Sequence, residues 1–289
     1  MTSLLLLNPS ARQANGSDAE LEQALRTRGL TPITERLEGS ADPSRIIAQH
    51  AADVDRVIVA GGDGTIASVL RPAIDARLPL AIIPLGTANN TARTLGIPGD
   101  LDAACDIAAG ATRRVIDVGD VNGRCFLTTA SLGLSVDITV ALTSETKQRW
   151  GVLAYAVTAA RAAARARPVR ARIRWDGGEL HTRTVQVVVG NGRYYGSALQ
   201  VAEDAAIDDH ALDLYSLEVR HWWQLLLLGP ALKRGSHGRR RRVVTARAQS
   251  FEITTTFPRP INADGEIVTE TPATIRVLPG ALEVFAPAS

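Results

Sequence analysis

Short apolar runs alternate with amphipathic stretches over about the first 115 residues of the chain. The apolar runs have the length of buried strands, and the stretches between them repeat apolar residues at the three- and four-residue spacing of helices. Strands are predicted at Leu4–Leu7, Ile33–Leu37, Val57–Ala60 and Leu80–Ile83, and helices at Asp18–Thr27, Pro43–Ala52, Ile66–Ile74 and Thr91–Leu95. Strands that alternate with helices predict a parallel sheet with helices on both faces.

The pattern changes after about residue 115 to short strand-like segments separated by turn signals such as Asn122-Gly123. Strands are predicted at Val115–Val121, Arg124–Thr129, Arg170–Trp175, Thr182–Gly190, Leu212–Leu217, Ser250–Thr256 and Thr274–Leu278, with helices at Thr146–Arg167 and from His221. We therefore expect an α/β domain over residues 1–118 and a mainly β domain over residues 119–278. A last strand near Glu283–Phe285 leaves open whether residues 279–289 return to the first domain.

Composition narrows the class of protein without naming a substrate. The 289 residues are 45% hydrophobic and 21% charged, as in ordinary globular proteins, and a net charge of +2 gives no support for nucleic acid as a partner. Cys105 and Cys125 have neither CxxC nor metal-type spacing, so we expect reduced thiols in a cytoplasmic protein. Because no stretch approaches the ~20 apolar residues that span a bilayer, any membrane contact is expected to be peripheral.

Polar loops follow three of the predicted strands, and two of these loops contain glycine. Asn8–Ser10 follows the first strand, Gly61–Thr65 (GGDGT) follows the third, and Pro84–Asn90 (PLGTANN) follows the fourth. Successive parallel strands end at the same edge of a sheet, so these loops are expected to build one pocket. Glycine lets the backbone approach a ligand closely, and the N-terminus of the following helix is suited to phosphate.

Asp63 needs a separate explanation, because its carboxylate repels phosphate. It becomes useful in such a loop if a Mg²⁺ ion bridges it to the phosphates or if it accepts a substrate proton, both of which are roles in phosphoryl transfer. The alternative is that Asp63 merely caps the helix that follows it. The loop sequence by itself leaves both readings open.

Together these motifs resemble those of the diacylglycerol kinase and sphingosine kinase superfamily, in particular its bacterial soluble lipid kinases. The likeness runs nearly from end to end, through Asn8–Ser10, Gly61–Thr65, Gly86–Asn89 with Ala92-Arg93, Gly119-Asp120, Asn191–Gly196, Ala205–Asp209 and Asp264–Glu266. The GGDGT element is shared with NAD kinases and, more loosely, with phosphofructokinases. The resemblance implies an NAD-kinase-like and phosphofructokinase-like α/β domain, a C-terminal β-sandwich that binds the lipid, and a kinase that uses ATP and Mg²⁺.

The resemblance also implies roles for individual residues. The ATP pocket would be lined by Asn8, Ser10, Gly61, Gly62, Gly64, Thr65, Gly86, Thr87 and Asn89, with Thr34 from the loop after the second strand. Asp63 would help to hold the catalytic Mg²⁺. Asp264 would be the general base for the lipid hydroxyl, with Glu266 in support, since a positioned carboxylate can take that proton. Asp208 would bind a structural Mg²⁺, and Asp209 would connect this metal to the catalytic cleft.

Three positions depart from the family pattern. Asn90 replaces a common aspartate, His210 replaces a glycine after the paired aspartates, and Glu203 replaces a proline. His210 raises the question of whether a positive backbone φ is kept there. Against Asp264 as a base stands a simpler reading, in which Asp264-Gly265 is only a type I′ hairpin turn.

Access to a membrane-resident acceptor requires a docking surface. Trp222 and Trp223 precede a run of leucines and the basic cluster Arg239–Arg242, which suits contact with anionic headgroups; the alternative is that the leucines pack in the core and the arginines are solvated. The prediction is a lipid kinase that uses ATP, and the family resemblance implies diacylglycerol as the default acceptor. NAD kinase and a catalytically weak lipid- or nucleotide-binding regulator stay as alternatives, and a homodimer is left open. No G-x-G-x-x-G follows the first strand, which argues against a Rossmann dehydrogenase.

Overall fold

The computed structural model describes residues 1–9, 18–39, 41–136, 167–192, 194–195, 199–200, 206–218 and 243–287. The chain divides into two compact units, one of Met1–Val118 with Leu278–Ser289 and the other of Gly119–Val277. The helix predicted from His221 lies outside the described residues, as does all but the last residue of the helix predicted at Thr146–Arg167.

The first unit is built on a parallel sheet. Its strands are β1 (Thr2–Leu7), β2 (Thr31–Arg36), β3 (Val57–Gly61) and β4 (Leu80–Pro84), and its helices are α1 (Asp18–Thr27), α2 (Pro43–His50), α3 (Asp63–Ala76), α4 (Asn90–Thr94) and α5 (Leu101–Ala109). The strands run in the order β2-β1-β3-β4, each parallel to its neighbour. The last part of strand β18 (Ala273–Phe285) joins this sheet beside β4, with Val284 opposite Leu80.

Burial of the central strands explains why they form this sheet. Every residue of β3 and β4 is buried, as expected of parallel strands that are covered on both faces. Helix α1 packs against α5, and α2 packs against α3. Because βαβ crossovers are right-handed, these two pairs cover opposite faces. The predicted α/β domain with helices on both faces is confirmed.

Helix boundaries in this unit follow local signals. Helix α1 has the predicted bounds, and α2 begins after Asp42, whose carboxylate accepts a hydrogen bond from the N–H of Ser44. Helix α3 begins at Asp63, before the predicted start at Ile66, and continues through Pro72 to Ala76. Helix α5 was not predicted, because its alanine-rich sequence gives a weak apolar period; Asp100 caps it by accepting from the N–H of Ala103.

The second unit is mainly β. Its strands, including the ends of β5 and β18 that fall in it, are β5 (Arg113–Val121), β6 (Arg124–Phe126), β7 (Thr129–Gly133), β8 (Val169–Trp175), β9 (Gly178–Thr184), β10 (Gln186–Gly190), β11 (Tyr194–Tyr195), β12 (Leu199–Gln200), β13 (Leu212–Leu217), β14 (Val243–Ala248), β15 (Ser250–Thr255), β16 (Pro260–Ala263), β17 (Glu266–Glu270) and β18. One sheet has the order β18-β15-β8-β9 in this unit, and the other has the order β14-β13-β10-β7-β16-β17. The strand pairs within both are antiparallel.

One apolar core lies between these two sheets. Ile173 and Phe251 from the first sheet and Leu132 and Val189 from the second belong to the same buried cluster, which Phe126 also joins. Sheets packed face to face over a shared core form a β-sandwich. The predicted mainly β second domain is therefore confirmed.

Some strand predictions were wrong in detail. Thr182–Gly190, predicted as one strand, is split between β9 and β10, which belong to different sheets. The break is at Val185, whose N–H donates to Leu217 and whose carbonyl accepts from Leu134. The sequence hides this change of sheet, because β-branched residues are buried on both sides of it, Thr182 and Thr184 in β9 and Val187–Val189 in β10. Conversely, the segments predicted at Thr274–Leu278 and Glu283–Phe285 are parts of the single strand β18.

Two further expectations concern the cysteines and membrane spans. Cys105 and Cys125 are both buried and form no disulfide with any described residue, and burial raises the pKa of the Cys105 thiol to about 11. Among the described residues, no helix combines the length and the apolar character needed to cross a bilayer.

Candidate active site

The loops after β3 and β4 touch backbone to backbone. A Cβ atom added to Gly86 would lie 2.6 Å from the Cα of Gly62, and one added to Gly62 would lie 3.3 Å from the Cα of Gly86. A Cβ on Gly61 would lie 2.7 Å from the Thr65 side chain. Bare backbone is therefore required at these positions, and the two loops predicted to share an edge do meet there.

Asp63 ties the second loop to the first. It is the first residue of α3, and its two carboxylate oxygens accept hydrogen bonds from the N–H groups of Asn90 (3.1 Å) and Thr91 (3.0 Å) at the start of α4. Asp63 thus caps α4 rather than its own helix, as a negative charge at a helix N-terminus should. The side chain of Asn90 has no hydrogen-bond partner among the described residues.

Amide side chains hold the loops in shape. Asn89 has a positive φ of 47°, and its side chain accepts from the N–H of Gly86 (2.9 Å) and donates to the carbonyl of Gly86 (2.8 Å). Asn8, at the end of β1, donates through its amide to the Thr65 hydroxyl at 2.7 Å. Motifs after three strands are therefore joined into one constellation within the first unit.

The start of α3 presents backbone N–H donors. Gly62 is the N-cap residue and has no side chain with which to cap this helix. The N–H groups of Asp63, Gly64 and Thr65 have no helical partner by geometry, which leaves donors suited to an anion. Thr65 is nearly buried, whereas Thr87 is exposed.

Two of the predicted pocket residues do not fit the prediction in full. Thr34 does not lie in a loop after the second strand; it lies within β2 opposite Leu5, and its hydroxyl donates to Glu22 at 2.8 Å. The strand predicted at Ile33–Leu37 already included Thr34, and the observed β2 ends at Arg36, so the loop assignment of Thr34 was wrong. Ser10 lies outside the described residues.

Asp264 and Gly265 form the two-residue loop between β16 and β17 in the second unit. Ala263 pairs with Glu266 across the loop, and φ is 48° at Asp264 and 100° at Gly265. Two positive φ values are what a type I′ hairpin turn requires. The simpler reading of this motif is thus correct as local structure, and the position of the carboxylate decides what else it does.

The Asp264 carboxylate is surrounded by donors from the β6–β7 connection. Its Oδ1 accepts from the N–H groups of Thr128 (2.9 Å) and Thr129 (3.1 Å) and from the Thr128 hydroxyl, and its Oδ2 accepts from the N–H of Leu127 at 2.6 Å. Burial raises the pKa of the Asp264 carboxyl, and these donors oppose the rise. With one hydrogen bond against three, Oδ2 is the oxygen with free capacity to take a proton.

The same connection also joins a second motif of the family pattern. Asn191, which is buried, donates through its amide to the carbonyl of Leu127 at 3.2 Å and through its N–H to Thr128 at 2.9 Å. The structure therefore brings Asn191 and Asp264 to one short segment. Thr128 was missed in the sequence, which gives no signal for it, because its partner is 136 residues away.

The other predicted carboxylates, those of Glu266, Asp208 and Asp209, have different surroundings. Glu266 is exposed at the first position of β17, and Asp208 is exposed before β13. Asp209 accepts from the N–H groups of Ala206 and Ala211 and pairs with the guanidinium of Arg247 at 2.7 Å. His210 keeps a positive φ of 58°, so the backbone conformation that a glycine adopts readily is preserved.

Mg²⁺ fits Asp63 better than Asp209. Each Asp63 oxygen keeps a lone pair beyond its one backbone hydrogen bond, and Mg²⁺ is usually held by one or two carboxylates with water and substrate phosphates. The observed position of Asp209 does not suit a Mg²⁺ ligand, because its Oδ2 already forms an ion pair with the guanidinium of Arg247. Within the described ranges, no three His, Cys, Asp or Glu side chains group as metal ligands.

The residues predicted to contact a membrane, Trp222, Trp223 and Arg239–Arg242, lie outside the described residues, and so does Glu203.

Comparison with known proteins agrees with the two-part organisation. Residues 2–121 match the family model of the diacylglycerol kinase catalytic domain, and residues 129–286 match that of the YegS C-terminal NAD kinase beta sandwich-like domain.

Individual relatives are similar over most of the chain. Diacylglycerol kinase of Bacillus subtilis is 30% identical over 252 residues, which are 86% of this chain and 83% of that protein. Diacylglycerol kinase of Mycobacterium tuberculosis is 30% identical over 289 residues, 96% of this chain and 91% of that protein. A crystal structure of a diacylglycerol kinase from Bacillus anthracis matches with a TM-score of 0.82 at 26% identity, covering 99% of this chain and 97% of that one.

Proposed function

The chain belongs to the bacterial family of diacylglycerol kinases and YegS-like lipid kinases, and from that premise we propose that it transfers the γ-phosphoryl group of ATP to the hydroxyl group of diacylglycerol or a related lipid at a membrane surface. One observation supports this most directly: the backbone contact between Gly62 and Gly86, which builds a side-chain-free platform beside the N-terminus of α3. Such a platform suits the phosphates of a nucleotide.

The site residues of the first unit then have separate roles in binding ATP. The N–H groups of Gly64 and Thr65 donate to phosphate oxygens, and Asn8 holds the Thr65 hydroxyl in place. Asp63 keeps α4 and its loop against α3, so that both sides of the platform stay fixed. When bound at Asp63, Mg²⁺ would neutralise charge on the transferring phosphates.

The proton of the acceptor hydroxyl goes to Asp264. Oδ2 accepts it as the lipid oxygen forms its bond to the γ-phosphorus, and the bond between that phosphorus and the bridging oxygen of ADP breaks. The backbone donors around Oδ1 fix the carboxylate, so that only Oδ2 changes its protonation. Burial keeps the pKa of Asp264 higher than that of an ordinary aspartate, which favours a base that can hold a proton.

NAD kinase is the second candidate, since the C-terminal family model is described as NAD kinase beta sandwich-like. The test is transfer from γ-labelled ATP with Mg²⁺ to diacylglycerol, monoacylglycerol, phosphatidylglycerol and sphingoid bases in mixed micelles, with NAD as a competing acceptor. Label in one of the lipids supports the proposal and names the acceptor. Label in NAD alone would identify the protein as an NAD kinase. ATP binding without transfer to any acceptor would identify it as a regulator.

A further inference from the structure

An exposed face of the second unit is rich in arginine. Along β8, Arg170, Arg172 and Arg174 are exposed and alternate with buried Val169, Ala171 and Ile173. On the neighbouring strand β9, His181 and Arg183 are exposed on the same face. A cavity of about 430 Å³ opens here, lined among others by Arg170, Arg172, His181, Arg183 and Thr254–Thr256.

Acidic partners occupy only one end of this face. Arg172 pairs with Glu179 at 2.5 Å, His181 contacts the same carboxylate, and Arg174 pairs with Glu252 at 3.4 Å. At the other end, Arg170 lies directly opposite Arg183 in the antiparallel pair. Neither has an anionic partner among the described residues, and two like charges opposite each other on one face destabilise a sheet.

An exposed aromatic residue lies beside this unpaired arginine couple. The loop after β15 begins at Thr256, whose N–H contacts the carbonyl of Arg170 at 3.4 Å, and the next residue is Phe257. Phe257 is 70% exposed, and Pro258 and Arg259 after it are exposed as well. The carbonyl of Phe257 accepts from the Thr255 hydroxyl at 2.7 Å, so the loop is held at the end of the strand.

We propose that this end of the sheet, formed by Arg170, Arg183 and the loop Thr256–Arg259, docks on the surface of a bilayer that contains anionic phospholipid. The arginines meet lipid phosphates, which also relieves the repulsion between Arg170 and Arg183, and Phe257 enters the headgroup region. This inference deepens the proposed function and rests on it for the choice of partner. It assigns the contact to residues other than the tryptophans and arginines singled out in the sequence.

The aromatic residue distinguishes a bilayer from other anions. A free phosphate or a soluble phosphorylated molecule would satisfy the arginines but leave Phe257 in water. A bilayer satisfies both, because its interface combines negative charge with apolar depth. RNA also combines phosphate with surfaces on which Phe257 could stack, so it serves as the competing outcome of the test.

Binding is measured by flotation with vesicles of phosphatidylcholine alone and vesicles in which a third of the lipid is phosphatidylglycerol. We expect binding to the anionic vesicles only. The double variant R170Q/R183Q should bind them about 30-fold more weakly, since each arginine near an anionic surface contributes about fivefold. Phe257→Ala should also weaken binding, because it removes the ring that enters the headgroup region. The control Arg45→Gln, which removes an exposed arginine of α2 that has no ion pair with any described residue, should bind as the wild type does.

The outcomes separate this inference from the proposed function. Asp264→Asn, which lacks the base, should bind vesicles like the wild type, so vesicle binding does not depend on catalysis. Equal binding to neutral and anionic vesicles, or unchanged binding by both face variants, would overturn the docking face even if the protein phosphorylates lipid in micelles. Loss of RNA binding by R170Q/R183Q with vesicle binding intact would overturn it in favour of a nucleic-acid surface.

Discussion

At the scale of single residues, Asp63 and Asp264 share one structural device. Each aspartate accepts backbone N–H groups from a segment far away in the sequence, at Asn90 and Thr91 for the first and at Leu127–Thr129 for the second. Each side chain thereby holds a loop in place and keeps a charged oxygen available. The two uses do not exclude each other, because a carboxylate has more lone pairs than these contacts occupy.

The raised pKa of Asp264 gives a pH dependence. As the base, Asp264 works only when deprotonated, so kcat/KM should rise with pH through its pKa. Because burial raises this pKa, the acidic limb should lie above the ordinary aspartate value of about 3.9. The measurement is kcat/KM for lipid phosphorylation against pH. An acidic limb at or below the ordinary value would contradict the assignment.

Asp63→Ala should remove the cap of α4 and weaken the nucleotide platform together. Loss of a capping side chain costs about 1 kcal/mol of stability, and the affinity for ATP with Mg²⁺ should fall at least tenfold. Chemical denaturation and nucleotide titration measure the two effects. Asp42→Ala is the control, because it also removes an aspartate that caps a helix, here α2, away from the two loops. If both variants kept full ATP affinity, Asp63 would have no role in binding.

The parts of the site that could be predicted are those whose contacting residues lie close together along the chain. The glycine loops after β3 and β4 were predictable, because strand, loop and helix are contiguous and their logic is local. The contact of the Asp63 carboxylate with Asn90 and Thr91 was not, because these residues lie 27 and 28 positions further along the chain. The partners of Asp264 were not predictable, since Thr128 lies 136 residues earlier and contributes mostly backbone groups. Likewise, nothing in the sequence indicates that the Asp209 carboxylate forms an ion pair with Arg247.

At the scale of elements, the contact between the loops after β3 and β4 controls the site. Gly86→Ala would place a Cβ 2.6 Å from the Cα of Gly62 and 2.8 Å from the Asn89 side chain, so the loops must move apart. We expect a loss of ATP affinity of at least tenfold with the fold retained. Gly99→Ala is the control, because nothing lies within 4 Å of its added Cβ. Nucleotide titration of both proteins decides; equal affinities would refute the requirement for contact.

Element prediction succeeded where the apolar pattern was periodic and bounded. Helix α1 and the buried strands β3 and β4 were identified because turn residues end each run. The chain between β9 and β10 was misread, since no glycine, proline, asparagine or aspartate marks the change of sheet at Val185. Helix α5 was missed because alanine is too small to give a clear apolar face.

At the scale of the whole molecule, the chain returns to the first unit at its C-terminal end. Val284 pairs beside β4, and the Phe285 ring is fully buried beneath two guanidinium groups, with Arg56 at 4.3 Å and Arg113 at 5.0 Å from its centre. Arg56 is itself buried and donates to Ala108 and Asp55. The last strand is therefore part of the packing of the first unit.

Phe285→Ala should destabilise the first unit by about 3–5 kcal/mol, because it opens a cavity and removes the ring under Arg56. Hydrogen exchange read by mass spectrometry should show faster exchange in β3 and β4. Phe257→Ala, which truncates a ring that is 70% exposed, should leave exchange in those strands unchanged. Equal effects of the two variants would show that the last strand contributes nothing specific to this unit.

The central claim is tested most directly by transfer of label from γ-labelled ATP to diacylglycerol in mixed micelles, by the wild type and by Asp264→Asn, with ATP affinity measured for both. The account predicts labelled lipid with the wild type and at least a hundredfold slower transfer by the variant, at unchanged ATP affinity. Labelled lipid formed equally by both proteins would contradict the role of Asp264. No labelled lipid from the wild type, with or without label in NAD, would contradict the assignment as a diacylglycerol kinase.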